Sequence, residues 1–90
     1  MVEHLYRLLY TKEAQKDARR IGRDSRLKAR VKKLLVILSE DPLSSLCKAF
    51  VGKYKGAYSR RINRQHRLVY QVNELTKTVK VLRMWAHYGD

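Results

Sequence analysis

Apolar and polar residues first mix loosely over His4–Tyr10 (HLYRLLY), a run rich in Leu and Tyr that predicts a strand. The next stretch, TKEAQKDARRIG, is laid out as a short helix. Thr11 is the N-cap, Glu13 and Asp17 sit towards the positive end, Arg19 and Arg20 towards the negative end, and Gly22 is the stop. A longer helix opens at Asp24 or Ser25. Within it Leu27, Val31, Leu34, Leu35 and Leu38 recur at helical spacing and define a core-facing stripe, while Arg26, Lys28, Arg30, Lys32 and Lys33 load the opposite face. Asp41-Pro42 ends this helix, because proline disfavours helical geometry in the residue before it.

Beyond Pro42 the periodicity is that of strands. Leu46–Val51 is a short apolar run, GKYKG at 52–56 has the glycine spacing of a turn, and Ala57–Asn63 alternates. Arg64-Gln65 reads as a tight connection to His66–Val72, and NELTK joins that strand to Thr78–Trp85, where one of Met84 and Trp85 belongs to the core. The predicted order is β-α-α-β-β-β-β. Two consecutive helices before a run of hairpins predict an α+β fold, with both helices packed on one face of a largely antiparallel, twisted sheet.

Ninety residues make one domain, spanning 1–90, with an apolar content of 44% that is sufficient for a core. No run approaches the roughly 18 apolar residues of a membrane span, and MVEHLYRLLYTKEAQ lacks the apolar core of a signal peptide, so a cytoplasmic location and no membrane partner are expected. Cys47 stands alone, which excludes an internal disulfide and a Cys/His metal cluster; no metal or other cofactor is expected.

Charge changes the picture most. Twenty-one Lys and Arg against eight Asp and Glu give +13, a surplus that expects a polyanion. Residues 42–73 contain no acid, yet hold Lys48, Lys53, Lys55, Arg60, Arg61, Arg64 and Arg67. Four of these arginines and His66 crowd into SRRINRQHR, a strand, turn and strand that gather charge in one small area. On the second strand Leu68, Tyr70 and Val72 share one face and Arg67, Val69 and Gln71 the other, so Arg67 lies beside apolar neighbours. Taken singly, such an arginine reads as salt-bridged or snorkelling, and His87 and Tyr88 read as structural.

In combination, Tyr58-Ser59-Arg60-Arg61-Ile62-Asn63, His66-Arg67-Leu68-Val69-Tyr70 and the terminal His87-Tyr88 resemble the RelE/ParE toxin superfamily, most closely the YoeB/Txe branch of bacterial toxin–antitoxin modules. The element order fits over nearly the whole chain, and the sequence likeness is strongest from about residue 56 onward. The resemblance implies a RelE-like fold and a ribosome-dependent, metal-independent mRNA endoribonuclease that cuts A-site codons by attack of the RNA 2′-hydroxyl and so inhibits translation. It implies Arg67 as a phosphate clamp, His87 as acid or base, and Tyr88 as a group that stacks on a base or orients the phosphate. Lys53, Lys55, Arg60, Arg61, Arg64 and His66 would line the RNA surface; the basic face of the second helix is either another ribosomal RNA contact or a solvated face.

One position departs from the pattern. The YoeB branch carries a glutamate, usually assigned as general base, where an ungapped alignment places Lys48. Three readings stand: Lys48 is the base with a lowered pKa, as in the RelE branch; His87 takes that role; or the nuclease is weakened. The partners implied are the ribosome and mRNA, a cognate antitoxin with an acidic tail, operator DNA through the antitoxin complex, and, for many members, a second copy in a homodimer. Two other functions fit the same pattern: a non-catalytic basic RNA-binding or ribosome-binding domain, and a ParE-like gyrase inhibitor.

Overall fold

A computed structural model describes residues 5–44, 47–49, 54 and 56–87, the last two of these by backbone alone. Its elements are β1 (Arg7–Tyr10), α1 (Lys12–Ile21), α2 (Ser25–Glu40), β2 (Lys48–Ala49), β3 (Tyr58–Arg61), β4 (His66–Asn73) and β5 (Thr78–His87). This is the predicted order. His4, Leu46, Val51, Gly52, Lys53, Lys55 and Tyr88, all used in the sequence reading, lie outside the described residues.

The five strands form one sheet in the order β1-β5-β4-β3-β2. β1 runs parallel to β5 and every other pair is antiparallel. Both helices cover one face. Ala14 and Ile21 of α1, and Leu27, Val31 and Leu38 of α2, pack there against Leu68, Tyr70, Val79, Val81 and Met84. Leu34 and Leu35 are half-buried beside them, so all five positions of the predicted leucine–valine stripe touch the core. On the opposite, open face Ala57, Val69 and Leu82 form a smaller cluster with Tyr54 over it.

Caps fix the helix starts where the sequence placed them. The Asp24 carboxylate accepts from the amides of Arg26 and Leu27. Thr11 does two things at once: its hydroxyl oxygen accepts from the Ala14 amide at 3.0 Å and its proton goes to the Leu82 carbonyl at 2.7 Å. The cap therefore also clamps α1 to the sheet. Thr11→Ala is expected to cost about 1–2 kcal/mol, the upper part of the range for a lost N-cap, with the difference read from urea denaturation midpoints at constant m-value.

Two features depart from the simple alternation. β3 stops at Arg61 rather than Asn63, because the Asn63 side-chain oxygen captures the amides of Gln65 and His66 at 2.9 and 2.8 Å and curls residues 62–65 into a loop. β5 is irregular. Arg67 pairs with Ala86, Val69 with Arg83 and Tyr70 with Val81, so β5 carries one extra residue against each of two successive steps of β4. Leu82 faces the open side as alternation from Val81 requires, and the bulges are what return Met84 to the main core with Val81. Met84 is the core residue of the Met84-Trp85 pair, and Trp85 is half-buried.

Candidate functional site

The antiparallel register of β3 and β4 sorts the arginine-rich segment onto two faces. Tyr58 pairs with Tyr70, Ser59 with Val69, Arg60 with Leu68 and Arg61 with Arg67. Directly opposed residues share a face, so Tyr58 and Arg60 point with Leu68 and Tyr70 towards the helices, and Ser59 and Arg61 lie with Val69 and Arg67 on the open face. Lys48 of β2 pairs with Ser59 and joins the same side. Three strands thereby bring Lys48, Arg61 and Arg67 to one end of the open face, around Ser59.

Arg67 is half-buried, and its Nε donates to the Ser59 hydroxyl at 2.9 Å. A guanidinium held through Nε is fixed in plane, which sets the direction of its fork of remaining donors. Lys48 and Arg61 are exposed. Their setting suits contacts to phosphate oxygens next to the one Arg67 would hold. Ser59 belongs to the sequence pattern without a role assigned to it there. The signal was present, since Ser59 stands two residues before the arginine that pairs with Arg67 and therefore on the same face.

The rest of the sequence-derived set divides. Arg64 is exposed at the tip of the 62–65 loop. Arg60 and His66, expected on the RNA surface, are buried, with 8% and 5% of their surface accessible. Arg60 lies on the helix-covered face, and its Nη1 has no hydrogen-bond partner among the described residues. The His66 ring stacks on Trp85 at 3.9 Å between centroids, with Nδ1 3.3 Å from the Asn63 side-chain oxygen. Arg20 covers the Trp85 ring at 5.3 Å. This column ties α1, the loop and both central strands together, and the pleat is why: in a run of consecutive basic residues every second one must point inward. Lys53, Lys55 and Tyr88 fall outside the described residues. The backbone of His87 lies opposite His66 in the ladder, one position from the pairing of Ala86 with Arg67, which puts it at the same end of the sheet as Arg67.

Beneath the site the sheet is anchored from the helix side. The Tyr70 hydroxyl, fully buried, donates to the Pro42 carbonyl at 2.7 Å, and burial pushes its ionisation well above the ordinary phenol range. Among the described residues no three His, Cys, Asp or Glu side chains cluster as a metal site, and no helix is long and apolar enough to cross a membrane.

The sequence matches the model of the YoeB-like toxin of bacterial type II toxin–antitoxin systems over residues 10–88. No curated protein sequence matches it. Among solved structures, a YoeB/ParE toxin from Agrobacterium tumefaciens superposes with a TM-score of 0.81 at 27% identity, covering 91% of this chain and 99% of that one. A YoeB dimer from Staphylococcus aureus gives 0.76 at 26% identity over 93% and 99%. The RelBE2 toxin–antitoxin complex from Mycobacterium tuberculosis gives 0.73 at 27% identity over 92% and 98%.

Proposed function

The chain belongs to the YoeB-like toxins of bacterial type II toxin–antitoxin systems, and from that premise we propose that it is a ribosome-dependent mRNA endoribonuclease. The observation that carries the reading is the convergence of Lys48, Arg61 and Ser59-anchored Arg67 on one end of an open sheet face in a chain of charge +13. The RNA 2′-hydroxyl attacks the adjacent phosphorus, a bond forms from O2′, and the bond to O5′ breaks. The products are a 2′,3′-cyclic phosphate and a 5′-hydroxyl. Negative charge builds on the two non-bridging oxygens as the phosphorane forms, and Arg67 meets it with donors whose direction is already set. Arg61 and Lys48 hold flanking phosphates.

Proton transfer needs a group that changes charge near neutral pH, and His87, with a reference value near ~6.5, is that group at the end of β5. Tyr88 takes the role that the family resemblance gives it, orienting the phosphate. Lys48 replaces the carboxylate of the wider branch and acts here as a phosphate contact, so the O2′ proton leaves to solvent water and His87, as the imidazolium, delivers a proton to O5′ as that bond breaks. The substrate places the protein in the bacterial cytoplasm, on the ribosome. Its basic face also fits the acidic tail of an antitoxin, in line with the toxin–antitoxin complex among its relatives; operator DNA would be reached through that complex. A second copy is a further partner, given the dimer among those relatives.

Primer extension on mRNA programmed into purified bacterial ribosomes tests this reading. Discrete A-site cuts by the native chain, lost on His87→Ala and reduced about tenfold or less on Lys48→Ala, are the expected result. Tight ribosome binding without cuts would leave a non-catalytic basic binding domain instead. A loss on Lys48→Ala as deep as on His87→Ala would make the lysine the base.

A further inference from the structure

The open face does not end at Arg67. Farther along β4 lies a cleft of about 310 Å³ whose lining includes Leu9, Gly56, Gln71, Thr78 and Lys80. Its floor is one rung of the sheet: Leu9 of β1 pairs with Lys80 of β5, and Lys80 pairs with Gln71 of β4. Three unlike side chains therefore stand side by side at strand spacing, an apolar platform, a cation and an amide. Leu9 is 45% exposed, and Lys80 is exposed beside it. Gly56 borders the cleft at φ +76, a conformation that favours glycine, and nothing stands within 4 Å of where a Cβ would be. Glu74, in the adjoining turn, is already engaged by the Tyr6 hydroxyl at 2.7 Å and the Lys77 ammonium at 3.1 Å.

We propose that this rung is a second RNA subsite, which binds one nucleotide of the substrate strand: the base on Leu9, its edge read by Gln71, its phosphate held by Lys80. The inference rests on reading the open face as the RNA surface and adds a place on it. Charge complementarity and continuity support the assignment. The cleft shares its face with Lys48, Arg61 and Arg67, and its size falls near the lower end of the roughly 300–1,000 Å³ of small-ligand sites. Gln71 lies four residues from Arg67 on the same strand face, about 13 Å away. The nucleotide held there is therefore not the one being cut. Single-strand binders add base contact to phosphate neutralisation, commonly on aromatic rings; here Leu9 offers the apolar surface, Lys80 the cation and Gln71 an amide.

The test uses the native chain without ribosomes, so that it does not depend on catalysis. A ¹⁵N-labelled sample is titrated with a single-stranded hexaribonucleotide and, separately, with hexaglutamate. Amides of Gln71, Thr78 and Lys80 are expected to shift with RNA and not with the peptide. In fluorescence anisotropy, Lys80→Ala should weaken RNA binding about fivefold and lower the salt dependence by close to one contact, while Lys16→Ala on the outer face of α1 changes it less than about twofold. Gln71→Ala should reduce the preference for the normal hexamer over an abasic one of equal length. Equal shifts with hexaglutamate, no shifts with RNA, or equal losses in Lys80→Ala and Lys16→Ala would each overturn the subsite. Absence of ribosomal cutting with the RNA shifts intact would instead sink the nuclease and leave the subsite standing.

Discussion

Arg67→Ala is expected to lower the single-turnover rate of A-site cleavage by about 10²–10³-fold while ribosome affinity changes little. The reason is that Arg67 differs from the other cations of the open face. Lys48 and Arg61 are exposed, and as the phosphate contacts proposed above they would act in the ground state and transition state alike, so their removal is expected to weaken binding. Arg67 is half-buried and its Nε donates to the Ser59 hydroxyl, so the plane of its guanidinium is set within the protein itself. Preorganisation of this kind favours the state in which phosphate charge has grown. Arg67→Lys should recover less than about a tenth of the lost rate, since an ammonium keeps the charge but not the planar fork or its anchor. Ser59→Ala should cost about three- to tenfold alone and nothing further in the Arg67→Ala background, because its effect passes through the guanidinium. Equal losses for Arg61→Ala and Arg67→Ala, both in affinity and neither in rate, would show that the face only binds.

The parts of this site that depend on local periodicity were readable from the sequence. Thr11 caps the helix it was expected to cap, Asp24, one of the two residues expected to open the second helix, is its cap, and the Leu27–Leu38 stripe turns inward. Arg67 falls on the face predicted from the alternation of HRLVYQV, opposite Leu68 and Tyr70. What failed was the extension of one reading to a whole basic run. Arg60 and Arg61 are neighbours in sequence, but the pleat puts one under the helices and the other on the open face, and the register with β4 decides which. His66 is drawn inward by Trp85 and Asn63, contacts that exist only once β5 lies beside β4. The β5 bulges were equally hidden, since an extra residue is defined only against a partner strand. Asp17 shows the same limit: it reads as an acid placed to suit the helix dipole, whereas its partners lie 66 and 67 positions away.

Those partners make Asp17 the residue whose loss should destabilise the fold most. Its carboxylate is 3% exposed and accepts three hydrogen bonds, from Arg83 Nε at 2.8 Å, Arg83 Nη2 at 3.3 Å and the Met84 amide at 3.0 Å. The last of these serves the bulged part of β5, where the ladder alone is irregular. Arg83 is held above its ordinary range, chiefly by the hydrogen bond it donates to Asp17, so the pair stays charged on the arginine side at any working pH. Asp17→Ala is expected to cost about 3–5 kcal/mol, because it leaves a partly buried guanidinium and a buried amide unpaired. A domain of this length has roughly 5–13 kcal/mol in total, so the variant should melt well below the native chain. Asp17→Asn, which keeps the shape and an acceptor but not the charge, should lose about 2–3 kcal/mol. Asp17→Ala with Arg83→Met should recover part of the loss, since the second change removes the stranded charge. Thermal and urea unfolding followed by circular dichroism reads all three. If Asp17→Ala unfolds within about 1 kcal/mol of the native chain, the Asp17–Arg83 pair does not hold β5 against α1. Register at the far end of β5, where His87 meets the ladder, would then have to come from the Thr11 clamp and the His66–Trp85–Arg20 column alone.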